Sequence, residues 1–434
     1  MKKKYMMQAG AGLAAVAVLL SGCSSSDNTS NTSTEAKATD TLNVTIVDDK
    51  DCKVSAATAQ AGKITFKLKN DGKNKNEFEI LSEDGKRIVS EKENIAAGQS
   101  AEFIVQLGAG KYYTVCKDDM VGPLVGKAEF TVTGDANVKT DETWQKAADE
   151  YAAFVKSEVD ALLVGTKEFA EAYKSGDTQK AKSLFAPTRA HYEAIEPVAE
   201  TLGDLDGMID FRIDEVDEET GKISLPLSEE EADWTGWHAI ELDLWGAEGD
   251  DKEDAAKAKV SFPYDDAKRA TLAQKLVDDT QALADFVNGK DDKYGEFIIS
   301  VPDISNGAIG LMDEVADSKI TGEEDRYSHT DMSDFTANVA GAKKAYEVLK
   351  PALQAKENGK KLIEEIEASL ATMEEDLAKY KEGDTYKAYS LQKGDAEYDK
   401  LAKDLQVLSA NISDITKVLL GDDAIRPEEP EEEE

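Results

Sequence analysis

The sequence predicts two domains in series: an all-β sandwich over residues 41–134, then an all-α domain of antiparallel helix bundles over residues 140–422. Three observations carry this. Up to residue 134, short runs alternate apolar and polar residues, the period of a strand with one buried face. Beyond about residue 140, apolar residues recur every three or four positions, the period of a helix. Turn-forming clusters interrupt both regions at intervals that suit short strands in the first and long helices in the second.

In chain order, residues 1–22 read as a signal peptide. Lys2, Lys3 and Lys4 precede a mostly apolar stretch over residues 6–20. That stretch is shorter than the roughly 20 residues a spanning helix needs. Leu20-Ser21-Gly22-Cys23 resembles a bacterial lipobox. The resemblance implies cleavage before Cys23, lipid on its thiol and amine, and a protein exported and anchored to the outer face of the cell membrane. No later segment is apolar enough to span a bilayer. Residues 23–40 are polar and lack large apolar side chains, so they read as a flexible tether. Residues 423–434 form an acidic tail.

Within the β region, K-I-T-F-K-L-K-N (residues 63–70) places Ile64, Phe66 and Leu68 on one face. Residues 41–47, 101–107 and 128–133 alternate in the same way, and Asn70-Asp71-Gly72 supplies a turn. About seven such strands in under 100 residues suggest a sandwich. Within the helical region, breaks fall at residues 175–177, 202–204, 246–250, 288–289 and 382–384. Long helical runs include 267–287, 334–353 and 360–381, while 216–230 and 261–265 read as loops.

Charge narrows the function. Lys and Arg number 51 against 89 Asp and Glu, for a net charge of −38. Nucleic acid is not an expected partner, because phosphate binding needs basic patches. An acidic surface instead concentrates cations.

The three histidines each lie among carboxylates. His238 and Glu241 are three residues apart and share a helix face. Glu193 and Glu196 do so near His191, and Asp210 and Asp214 are four apart, with Arg212 expected to point elsewhere. If these helices pack together, Glu193, Asp210, His238 and Glu241 converge on one cation, with Glu196 a further candidate. One imidazole with several carboxylates suits iron, and zinc less specifically. An acidic pair on an acidic helix is more often a solvated face, and a lone histidine more often a hydrogen-bonded side chain. Trp234, Trp237, Ile240, Leu242, Leu244 and Trp245 around His238 argue for burial, and buried acids need a partner.

Two resemblances extend this reading. Residues 62–70, 76–80, 96–100 and 108–116 follow the strand order of a cupredoxin domain, in which the Cys ending the penultimate strand is a metal ligand. No histidine lies between Cys23 and Ala190, so a blue-copper centre cannot form there. Cys52, Glu77, Cys116 and Met120 remain as a second site for copper or a second iron. The alternative is a disulfide between Cys52 and Cys116. G-W-H-A-I-E-L-D-L-W-G (residues 236–246) resembles the G-x-H-x-x-E signature of imelysin-type proteins, a peptidase-like family. D-x-x-x-D-x-R-x-D (residues 206–214) is similar to the segment preceding that signature. K-I-T-G-E-E-D-R-Y-S-H-T-D-M-S-D-F (residues 319–335) resembles a stretch of EfeO-type iron-uptake lipoproteins.

The EfeO resemblance implies iron delivery to a membrane permease of the EfeU type, often alongside the haem-dependent peroxidase EfeB. It implies metal at His238 and Glu241, with Glu193, Asp210 and Glu196 carried over by position. His329, with Glu323, Glu324 and Asp331, stands as a second cluster, either metal-binding or structural, and His191 as a packing or orienting residue. Three other functions compete with iron binding. A metallopeptidase lacks support, since H-E-x-x-H is absent. A metal-bridged polysaccharide-binding protein must overcome the negative charge. Oxidation of ferrous iron needs a redox metal in the β domain. The expectation is therefore a binding protein rather than an enzyme.

Overall fold

A computed structural model describes residues 40–119, 124–134, 142–290 and 293–420. Cys23 and Met120 lie outside the described residues. The N-terminal part is a sandwich of two sheets. One has the order β2 (Asp51–Val54), β1 (Asp40–Val47), β4 (Gly62–Asn70) and β7 (Ser100–Leu107). The other has the order β3 (Thr58–Gln60), β9 (Leu124–Thr133), β8 (Gly110–Asp118), β5 (Asn76–Leu81) and β6 (Ile88–Ile95). The β1–β4 and β3–β9 pairs are parallel and the others antiparallel. Alternation puts Ile64, Phe66 and Leu68 inside. There Phe66 meets Phe78 at 5.2 Å and Phe130 at 5.8 Å between ring centroids.

Cys52 on β2 and Cys116 on β8 form a disulfide that joins the two sheets, with Cα atoms 5.7 Å apart. This corrects the expectation of a metal site on Cys52, Glu77 and Cys116. Neither cysteine offers a thiolate, and the acid points the other way. Phe78 pairs in register with Cys116 in the core, while its neighbour Glu77 pairs with Lys117 on the opposite face of the sheet. The bond spans 64 residues, so it removes loop freedom from the unfolded chain worth about 4 kcal/mol. Cys52→Ser with Cys116→Ser is expected to lower the denaturation free energy by that order, and thiol titration of the native protein should leave both sulfurs unreactive.

The rest is helical: α1 (Glu142–Lys174), α2 (Thr178–Glu193), α3 (Glu196–Ala199), α4 (Asp204–Asp210), α5 (Gly236–Trp245), α6 (Gly249–Lys257), α7 (Asp266–Val287), α8 (Val301–Asp317), α9 (Asp331–Gln354), α10 (Gly359–Ala378), α11 (Ala396–Ile412) and α12 (Ile415–Leu420). In α1, Tyr151, Val155, Val159, Leu162, Thr166, Phe169 and Tyr173 make one buried stripe. Asp177 ends the short turn that follows and caps α2 by accepting from the Lys180 amide. So short a turn folds α2 back along α1. Helix α1 packs on α2 and α7, and α9 lies against α2, α8 and α10. No helix among the described residues is long and apolar enough to cross a membrane.

The two parts pack together where β6 and β7 meet α8. Lys92 Nζ lies 2.8 Å from Asp313 Oδ2, and Asn306 donates to the Ile104 carbonyl at 3.0 Å.

Candidate metal centre

Helix α5 is buried through most of its length. Trp237 anchors it, with Phe169 at 4.8 Å and Phe185 at 5.7 Å between centroids. Gly236 sets its depth. A Cβ there would lie 2.1 Å from the Ile209 carbonyl oxygen, and φ is +87°, so only glycine lets α5 start against the backbone of α4. That contact brings His238 beside Asp210, the last residue of α4.

His238 is buried between carboxylates from three segments. Its Nδ1 is 3.0 Å from Glu241 Oε2. Its Nε2 is 3.3 Å from Glu324 Oε1 and 3.5 Å from Asp210 Oδ1, with no well-aligned hydrogen bond to either. Glu241 is fixed on its other side, where Oε1 accepts from the Tyr327 amide at 2.9 Å and the Ser328 amide at 2.7 Å. Two sets of ligand atoms lie within 4.8 Å of one another: Asp210, His238 and Glu324, and His238, Glu241 and Asp325. Donors of this kind at this spacing suit a hard or borderline cation.

Around this centre lies a buried charge network. Arg189 reaches Asp210, Glu193, Glu324 at 3.0 Å and Asp325 at 3.5 Å. Lys319 reaches Glu196, Glu193 at 3.3 Å and Glu324 at 3.4 Å. Arg212 holds Glu324 at 2.8 Å. Asn338 donates to Glu193 and Glu196. The acids Glu193, Glu196, Asp210, Glu241, Glu324, Asp325, Asp331 and Asp334 thus outnumber the permanent cations Arg189, Arg212 and Lys319. Both oxygens of Asp334 and one each of Asp325 and Asp331 are buried without hydrogen bonds.

The imbalance shows in proton affinities. Burial raises Glu241, Glu193 and Glu196 above ordinary carboxylates. Asp331 and Asp334 are raised well above theirs, by burial and then by Asp325. Burial also opposes ionisation of Asp210, but Arg189 and then His238 hold it down to about 2. Lys319, Arg212 and His238 likewise overcome burial at Glu324 and hold it well below the usual range. Burial and Arg189 disfavour the imidazolium of His238, yet Asp210, Glu241 and Glu324 outweigh them and raise it well above its ordinary value. Without another cation, a proton sits on His238.

The structure therefore sorts the expected residues. Asp210, His238 and Glu241 come together. Glu193 and Glu196 are nearby but engaged by Arg189, Lys319 and Asn338. The segment after Asp210 is not one helix: α4 ends there, and Arg212, expected to point elsewhere, turns in to Glu324. His329 is exposed, with a left-handed φ of 56°, and its backbone rather than its ring braces Tyr389. Glu324 and Asp331 of the same stretch are buried. His191 bonds Glu158 of α1 at 2.6 Å, apart from the cluster. Arg189, Lys319, Asp325 and Asp334 were not foreseen as site residues. A lysine and several acids crowded into residues 319–334 were the available signal.

A cavity of about 440 Å³ adjoins the centre. Asp210, Arg212 and Glu324 of the helical domain line it, together with Glu77, Glu91 and Glu93 of the β domain.

The family profile for imelysin matches residues 147–414, and the profile for a cupredoxin-like domain matches residues 12–127. The chain is 35% identical over 387 residues to the iron uptake system component EfeO of Escherichia coli (strain K12), which covers 88% of this chain and 93% of the relative. The EfeO components of Shigella flexneri and Escherichia coli O157:H7 are similar to the same extent.

Proposed function

The chain belongs to the imelysin family and, with its cupredoxin-like N-terminal domain, to the EfeO-type iron uptake components, and from this we propose that it captures iron outside the cytoplasm at the His238 centre. The observation that carries this reading is the buried Nε2 of His238, which makes no aligned hydrogen bond and lies between Asp210 and Glu324 where these line an acidic cavity. Iron at that nitrogen takes Asp210 and Glu324 as further ligands. Glu241, held by two amides and by Nδ1, fixes the imidazole in the tautomer that leaves Nε2 open. Binding requires that nitrogen to lose its proton, so iron and protons compete. Glu193 and Glu196 act through Arg189 and Lys319, which they hold in place.

Lipid on Cys23 tethers the protein at the outer face of the cell membrane, from which it passes iron to a permease of the EfeU type, with EfeB as a companion. The names of the relatives describe uptake components, in keeping with a binding protein rather than a peptidase. X-ray absorption of the iron-loaded protein is expected to report an oxygen and nitrogen shell with outer scattering from one imidazole. Sulfur ligands, or no imidazole, would sink the reading.

A further inference from the structure

His238 and Glu324 each keep 1% of their side-chain surface exposed, and Asp210 keeps 10%. An ion reaches them only if part of the protein moves aside. The cavity that Asp210 and Glu324 line shows which part. Among the described residues lining it, those exposed to solvent are Asp214, Asp217, Ser224 and Glu229. All four belong to one segment, so residues 214–229 stand between the cavity and solvent. The far half of that segment is a short hairpin. Strands β10 (Ile223–Ser224) and β11 (Glu231–Ala232) pair antiparallel, with residues 225–230 as the tip between them. So short a two-stranded ladder is not stable by itself, and the tip depends on what holds it.

Two attachments hold it. Leu227 is buried in a small cluster with Leu81, Ile88 and Val115 of the sheet, separate from the cores of both domains. The Leu227 and Ser228 amides donate to Asp204 Oδ1 at 2.8 and 3.1 Å. Gly203 leaves room for this contact, since a Cβ there would stand 2.6 Å from Leu227 Cγ. Leu227 thus bridges α4 and the sheet, and Gly203 and Ile88 beside it both line the cavity. Among the described residues, the other hydrogen bonds of the tip stay within the hairpin, as from the Leu225 amide to the Glu230 carbonyl and from the Glu229 amide to the Leu225 carbonyl. Glu229 makes that turn with a left-handed φ of 56°. A segment held by so few buried apolar contacts opens more readily than elements tied into a core.

We infer that the hairpin tip is a gate on the cavity and that Leu227 is its latch. When Leu227 leaves Leu81, Ile88 and Val115, the tip swings off the sheet and the cavity opens to solvent; when it returns, the cavity closes over the bound ion. The tip makes no hydrogen bond or ion pair with Asp210, His238 or Glu324. Opening therefore sets how fast an ion enters and leaves, and the ligands set how tightly it is held. That the ion is iron rests on the His238 reading; that the tip opens does not.

The test uses the whole chain and Fe²⁺ without oxygen. Stopped-flow fluorescence of Trp237, beside His238 in α5, reads uptake, and a chase with a strong Fe²⁺ chelator reads release. Leu227→Ala should speed both by a similar factor, about tenfold or more for a lost leucine contact, and leave the dissociation constant unchanged. Asp204→Ala removes the other attachment and should act in the same direction. Wild-type rates in both variants would overturn the gate, as would a weaker affinity with unchanged uptake, which is the effect of a fixed wall. Hydrogen exchange of the iron-free protein supplies the second arm. The Ser228 amide should exchange faster than the buried stripe of α1 in wild type, and faster again in Leu227→Ala. Exchange as slow as that of α1 would also overturn the gate. If Leu227→Ala does not fold, as circular dichroism will report, Asp204→Ala is read by the same criteria. If wild type takes up no iron, the His238 reading fails by itself, and hydrogen exchange still decides the gate.

Discussion

Replacing His238 by alanine should lower the affinity for iron by roughly a hundredfold or more, since the only imidazole of the centre is lost. Glu324→Ala should do comparable damage, because it removes a carboxylate 3.3 Å from Nε2. Glu241→Ala should cost somewhat less, about tenfold to a hundredfold, the usual effect of removing the carboxylate that orients a ligating imidazole. The physical distinction is where each acid spends its oxygens. Glu241 accepts from two amides and His238 and does not line the cavity, whereas Asp210 and Glu324, although paired with Arg189, do line it. Glu375→Ala, on the exposed side of α10, is the control and should bind iron like wild type. Titration calorimetry at controlled redox potential measures all four. Equal affinities for His238→Ala and wild type would remove this centre from the function.

The iron-free protein should lose stability as pH rises from about 5 to 8, and iron should offset part of that loss. Burial first, then neighbouring acids, raises Glu79 and Glu93 to about 8. Burial likewise raises Asp206 and Glu215 to about 7, against bonds from Tyr192 and Arg212. In the unfolded chain all four ionise near pH 4. Between the unfolded and folded values the native state therefore holds more protons, and unfolding releases them. Stability then falls with rising pH until the folded groups have also ionised, near pH 8. Asp210 works in the opposite sense: its value of about 2 adds stability that is lost only as pH falls below about 4. With one pKa unit worth about 1.4 kcal/mol, each of these acids contributes at most a few kcal/mol to the loss. Iron displaces the proton on His238 instead, so it binds more tightly as pH rises and offsets part of the loss. Denaturant unfolding at pH 5, 6.5 and 8, with and without iron, checks both halves. Iron-free stability that rises over this range would contradict the protonation pattern.

Much of the fold was legible because periodicity is local. The alternation at Ile64, Phe66 and Leu68, and the helical stripe from Tyr151 to Tyr173, need no knowledge of their partners. The pairing of His238 with Glu241 was legible for the same reason, since three residues on a helix set their distance. Asp210 was within reach because it lies in a recognisable acidic segment. The cation content of the centre was not. Arg189 donates to acids as far away in sequence as Glu324, and nothing local marks it as buried. The bend after Asp210, which turns Arg212 inward, breaks a helical pattern that the spacing of acids had suggested.

The sequence by itself determined the two domain types, their order, and the imidazole around which the proposed metal centre is built. It also excluded a blue-copper centre, since that needs histidines the β region lacks. Tertiary structure decided the rest. It closed Cys52 and Cys116 into a disulfide, turned Glu77 out of the core, and left His329 exposed. It also set the acids of the sheet against those of the helices around one cavity. The reason is range. Side-chain direction along one element follows from its period, but which charges meet depends on how elements pack, and each carboxylate here takes its role from residues far away in the chain.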